Sequence, residues 1–134
     1  MRALVLFLTL LLGLASPARA DDVAAAQGVI RAQEQAFARD DAAAAWSHAA
    51  PAIQEIFQQP EIFMQMVRQG YAPVYRHKSF EFGEAKTAGS QIAQRVHIVD
   101  DNGEAWEAMY TLEQQPDGSL KITGCSLLTA GQAV

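Results

Sequence analysis

Two short turns constrain this chain more than any other feature. Asp101-Asn102-Gly103 and Pro116-Asp117-Gly118 each place a glycine third in a polar break between apolar, alternating stretches. A three-residue hairpin loop ends on a residue in the left-handed backbone region, which glycine adopts without steric cost. Loops of that length pair Asp100 with Glu104 and Gln115 with Ser119. Strand side chains alternate with period two, so even-numbered residues then oppose even-numbered residues across the whole sheet. The resulting face holds Phe80, Phe82, Ile92, Val96, Ile98, Trp106, Ala108, Tyr110, Leu112, Leu120, Ile122 and Gly124, an overwhelmingly apolar set. A two-residue Asn-Gly turn would instead oppose Val96 to Met109 and turn Trp106 and Tyr110 to the other side. A one-residue slip moves an entire hydrophobic set to the wrong face, which favours the three-residue loops. Four strands are therefore predicted, over Tyr75–Ala85, Gln91–Asp100, Ala105–Gln114 and Ser119–Leu128.

The segment before these strands reads as helices. Ala26, Val29, Ile30, Gln33 and Phe37 recur at helical spacing between Val23 and Ala38. Asp40 and Asp41 separate this helix from the next, and Asp41 suits an N-cap ahead of Ala45, Trp46 and Ala49. Pro51 and Pro60 are placed as first-turn prolines. The helix after Pro60 carries Ile62, Phe63, Met66 and Val67 and stops at Gly70. Tyr71-Ala72-Pro73-Val74-Tyr75 is expected to lead into extended backbone, because the residue before a proline avoids the helical region. The expected fold class is α+β, with N-terminal helices packed on a curved four-stranded antiparallel sheet.

The opposite sheet face reads as largely solvated. The register sets His97 against Glu107 and Glu113 against Lys121, and a five-residue link around Lys86–Ser90 would set Arg95 against Glu81. Met109, Cys125 and Leu127 also fall on this face, together with Ala93 and Val99. That apolar admixture makes the outer face a candidate homodimer surface.

Compartment follows from the first residues. Arg2, the apolar run Ala3 to Ala15 and Ser16-Pro17-Ala18-Arg19-Ala20 match a secretory signal peptide cut after Ala20. The run is shorter than the roughly 20 residues that span a bilayer. Residues 1–20 are thus expected to leave, and 21–134 to form one domain in the periplasm or outside the cell. Without Arg2 and Arg19, eight basic residues face fifteen acidic ones, a net charge of −7. Such a domain is a poor partner for nucleic acid or anionic lipid. The one cysteine, Cys125, can form no internal disulfide.

Three segments carry a resemblance. They are Gln35-Ala36-Phe37 with Asp41, Ala45, Ala49, Pro51, Ile53 and Phe57; then Phe63, Met66, Val67, Gly70, Tyr71, Pro73, Val74 and Tyr75. The third is Gly103, Trp106, Tyr110, Leu112, Pro116-Asp117-Gly118, Ile122, Gly124 and Cys125. Together they resemble an uncharacterised proteobacterial family, domain of unknown function 4864. Leu120 stands where an aromatic is common in that family, a difference in packing rather than chemistry. The order of elements is also similar to the cystatin-like cone of the nuclear-transport-factor-two superfamily. That architecture implies a hollow between the sheet and the first helix. It serves isomerases, dehydratases and cyclases as well as binding and dimerisation modules, so the fold does not select an activity.

The residues themselves argue against catalysis. A cone-fold isomerase needs a carboxylate base on the inward face, and Glu84, Asp100 and Glu104 fall only at strand ends. The inward polar residues are Gln33, Gln94 and Tyr110, and a glutamine cannot act as a general base. Asp40 and Asp41 read as caps. His77, His97 and Glu107 share the predicted outer face without metal-ligand spacing. No catalytic residue, metal or cofactor is assigned. The expectation is a non-catalytic module binding a small apolar ligand or a protein, with Gln33, Gln94, Trp106 and Tyr110 as the ligand contacts. An isomerase- or dehydratase-like enzyme and a dimerisation module are the alternatives.

Overall fold

A computed structural model describes residues 15–132, and side-chain environments over 20–131. The charged start and most of the apolar run of the predicted signal peptide lie outside the described residues. Five helices lead: α1 (Ala15–Ala38), α2 (Ala42–Ser47), α3 (Pro51–Phe57), α4 (Pro60–Gly70) and α5 (Ala72–Tyr75). Four strands follow, β1 (Ser79–Ala88), β2 (Gln91–Val99), β3 (Ala105–Gln114) and β4 (Leu120–Thr129), then a single 3-10 turn at Ala130–Gln132. The strands form one antiparallel meander in the order β1-β2-β3-β4.

The predicted helix signals act as expected. Asp41 caps α2 through its carboxylate, which accepts the Ala44 N–H at 3.0 Å. Pro51 and Pro60 open α3 and α4. Helix α1 ends in a Schellman pair, Asp41 N–H to the Ala36 carbonyl at 2.8 Å and Asp40 N–H to the Phe37 carbonyl at 3.1 Å. Asp40 takes the left-handed position at φ +56°, one that aspartate tolerates better than most residues. Helix α4 buries Phe63, Met64 and Val67 and leaves Ile62 half exposed, a slightly different face from the predicted one.

Both hairpin loops have the predicted length. Asp100 donates to the Glu104 carbonyl at 2.9 Å and Gln115 to that of Ser119 at 2.7 Å. Gly103 and Gly118 sit at φ +83° and +88°. Strands β2 and β3 pair even with even throughout, with Val96 opposite Ala108 and Ile98 opposite Trp106. Phe37, Ile30, Ile98, Leu112, Val96 and Tyr110 are fully buried where α1 crosses the sheet, and Met64 of α4 joins the same core.

Four expectations are corrected. Tyr71–Tyr75 is not extended: Pro73 lies in the first turn of α5, where a backbone N–H has no helical partner and its absence costs nothing. Strand β1 consequently starts at Ser79. The β1–β2 link is the two residues Gly89 and Ser90, with Gly89 at φ +61°, and this register sets Ala85 against Gln94. A bulge at Gly83–Glu84 then shifts the pairing by one residue, so Glu81 faces His97 rather than Arg95.

The fourth correction lies in β4. Leu112 pairs with Ile122, but Thr111 pairs with Gly124 and Tyr110 with Cys125. One extra residue at Thr123–Gly124 reverses the alternation beyond it. Cys125 and Leu127 therefore turn inward and pack against the core, and Gly124 takes a place opposite outward-facing Thr111. A side chain at Gly124 would meet the Thr111 hydroxyl at 3.2 Å. Of the three residues proposed for an outer dimer face, only Met109 remains there.

Candidate functional site

A hollow of about 70 Å³ lies between α1, the α3–α5 helices and the β3–β4 end of the sheet. Phe37, Phe63, Val67, Val74 and Ile122 supply apolar walls, and Gln33, Tyr71, Tyr110 and Cys125 supply the polar groups. Phe63 anchors the helical wall, with Trp46, Phe57 and Phe37 rings 5.7, 5.9 and 6.3 Å from its own. No lining residue carries a charge. The volume exceeds the roughly 10–15 Å³ that one water requires and falls short of the ~150 Å³ of a cavity that holds benzene.

Two of the four predicted contacts meet in this hollow. Gln33, 4 % exposed, donates its amide N–H to the Ala45 carbonyl at 3.1 Å, which fixes the carboxamide between α1 and α2. Tyr110, 2 % exposed, lies against the Cys125 thiol. Burial and the adjacent thiol push the Tyr110 hydroxyl well above its ordinary pKa. Burial likewise pushes Cys125 up to about 12, so the S–H is the form present at neutral pH. Cys125 as a whole residue is only partly buried. Its thiol is nonetheless crowded by the hollow, and the thiol's own surroundings decide its chemistry. Tyr71 completes the wall by donating its hydroxyl to the Cys125 carbonyl at 3.0 Å.

The other two contacts lie elsewhere. Gln94 is fully buried at the β1 bulge, donating to the carbonyls of Gly83 at 3.0 Å and Arg95 at 2.8 Å while its oxygen accepts from Gln27 at 3.1 Å. It satisfies backbone groups that the bulge leaves without ladder partners. Trp106 sits at the far end of the sheet, with its indole N–H on the Asp100 carboxylate at 2.9 Å. It borders an open surface cleft with Pro73, Arg76 and Leu127.

A pair that the strand alternation gave no reason to expect joins α1 to β1. His77 precedes β1 and turns toward α1, not to the outer face. Its Nδ1 meets the Pro73 carbonyl at 2.8 Å and its Nε2 the Glu34 carboxylate at 2.5 Å. Arg31 donates to the other Glu34 oxygen at 2.5 Å and to the Phe80 carbonyl at 3.3 Å. Glu34 and His77 side chains are each 13 % exposed. Glu34 follows Ile30 by four residues and precedes Phe37 by three, so the helical period could have placed it beside the buried stripe. On the true outer face His97 bonds Glu107, with Arg95 at 3.8 Å. The two histidines thus lie on opposite sides of the sheet, and the described residues include no cluster of three metal-ligating side chains.

A family model described as a domain of unknown function, DUF4864, matches residues 19–133. The chain belongs to the DUF4864 family. That match covers the sheet, α2 to α5 and α1 from residue 19 onward, including every residue of the hollow. No curated protein and no solved structure matches this DUF4864 chain.

Proposed function

We propose that this DUF4864 domain is an exported, non-catalytic module that binds a small, largely apolar ligand in the hollow beside Tyr110. The observation that carries the reading is the placement of Gln33 and Tyr110, both almost fully buried, among walls without charge. Buried polar groups at an apolar cavity orient a guest by a few hydrogen bonds while area supplies the attraction. We read the architecture as the cystatin-like cone, supported by the long α1 laid across a sheet bent by two bulges. The test is to purify the exported chain, denature it and search by mass spectrometry for a released small molecule. A thermal-shift screen of small apolar compounds on the same sample then reports binding directly. A defined compound that raises the melting temperature supports the reading; none in either assay removes it. N-terminal sequencing of the exported chain should begin at Asp21.

A second reading has one observation in its favour. Glu34 and His77 form a sheltered acid–base pair, which an isomerase- or dehydratase-like enzyme of the cone fold would need. Both ring nitrogens of His77 are engaged, and neither residue lines the hollow. That geometry favours the binding reading. Assembly through the outer sheet face rests on Met109 and the half-exposed Leu128. Unchanged mass by light scattering in Met109→Glu would remove it.

A further inference from the structure

The polar chemistry of the hollow narrows what can enter it. Gln33 spends its amide N–H on the Ala45 carbonyl, and its carboxamide oxygen has no protein donor among the described residues. The Cys125 thiol lies 3.9 Å from the Ser126 carbonyl and against the Tyr110 hydroxyl. A hydroxyl can rotate to donate or accept, so Tyr110 offers either role. The hollow therefore presents a free acceptor and an adaptable hydroxyl, with no charged side chain in its lining. An anionic head would bring a second set of acceptors to Gln33 and find no cation. A cationic head would lose its hydration and find no carboxylate. Either cost is far larger than that of moving a neutral hydroxyl that is hydrogen-bonded on arrival.

We propose that the hollow receives the neutral hydroxyl head of a short aliphatic alcohol, held by the Gln33 oxygen and the Tyr110 hydroxyl, and that it rejects the matching carboxylate and ammonium. This rests on the ligand-binding reading above. Size supports a small head: about 70 Å³ cannot enclose a drug-sized molecule, since such sites measure ~300–1,000 Å³. Ile53 and Tyr71 are partly exposed lining residues and mark the side on which an alkyl stem reaches solvent.

The experiment is an amide chemical-shift titration of the full exported chain with 1-butanol, butyrate, butylammonium and 1-chlorobutane, read at Tyr110 and Cys125. Butanol should bind at least tenfold more tightly than either ion and severalfold more tightly than chlorobutane. Tyr110→Phe should remove most of that preference. Gln33→Met should do the same, and either variant alone suffices if the other does not fold. Val67→Phe, which fills the hollow, should abolish every shift. If butanol and chlorobutane bind equally and Val67→Phe abolishes both, the hollow binds guests but the hydroxyl assignment is wrong. If no probe binds, or Val67→Phe changes nothing, the hollow is not their site and both readings fall.

Discussion

Cys125 stands directly opposite Tyr110 on the neighbouring strand, and the two side chains meet on the inner face of the sheet. The extra residue at Thr123–Gly124 creates this relationship, since uninterrupted alternation would have sent Cys125 outward. The thiol, held up to about 12 against an ordinary 9.0, should be nearly inert. At pH 8 its thiolate fraction is lower by roughly a thousandfold than that of a free cysteine, and alkylation proceeds through the thiolate. Iodoacetamide labelling of the native chain should be slow and should become rapid in denaturant. Equal rates in both states would show that the thiol is not in this setting.

The same group sets the alkaline limit of stability. Its folded pKa lies above the unfolded value, so its contribution is fully present below pH 9 and is lost as pH rises toward 12. Tyr110, also raised, adds a loss of the same sign above pH 10. Denaturant midpoints should fall from about pH 9 upward. In Cys125→Ala and Tyr110→Phe the slope should be shallower than in the parent chain.

Asp100 governs the acid side of the β2–β3 turn. Its carboxylate accepts the Trp106 indole N–H and the backbone N–H groups of Glu104 and Asn102, which hold it below the usual aspartate range. A depressed folded pKa stabilises the fold above pH 3.8, and this is lost as pH falls through the folded value. Asp100→Ala should lower the melting temperature at pH 7 and flatten its decline in acid. A melting curve unchanged at both pH values would show that the turn does not depend on this carboxylate.

Phe63 is the aromatic hub of the hollow's helical wall. Phe63→Ala should destabilise the domain by about 3–5 kcal/mol, the range for truncating a buried phenylalanine. Urea titration measures this, and a loss under about 1 kcal/mol would mean that the wall collapses onto the cavity.

Glu34 and His77 should behave as one unit. Removing Glu34 leaves the sheltered His77 Nε2 without its partner, and removing His77 leaves one Glu34 oxygen without its partner while Arg31 keeps the other, each at a cost of about 1–3 kcal/mol. The double variant Glu34→Leu with His77→Phe should cost less than the two singles combined. A double-mutant cycle closing to zero would show that the pair makes no energetic contact.

Legibility from sequence followed the range of the interactions concerned. The caps at Asp41, Pro51 and Pro60 and the glycine loops at 101–103 and 116–118 are decided within a few residues, and all were readable. So was the β2–β3 register, because the 101–103 loop and one apolar set demand it. The two bulges are different. Gln94 sits where β1 slips at Gly83–Glu84, its amide taking up backbone carbonyls there, while Gly124 permits the close approach to Thr111 where β4 slips. Neither advantage exists until the strands are already paired.

The sequence by itself determined that helices precede the four strands, where α2, α3 and α4 begin, the even-numbered inner face of β2 and β3, and the burial of Gln33 and Tyr110. Local backbone preference and periodic burial suffice for each. Only the tertiary structure decided that Cys125 joins Tyr110 inside, that Gln94 and Trp106 serve the sheet and a turn, and that His77 reaches Glu34 across forty-three residues. Those outcomes depend on which backbone groups remain unpaired once α1 and the sheet are docked, and no local pattern records that.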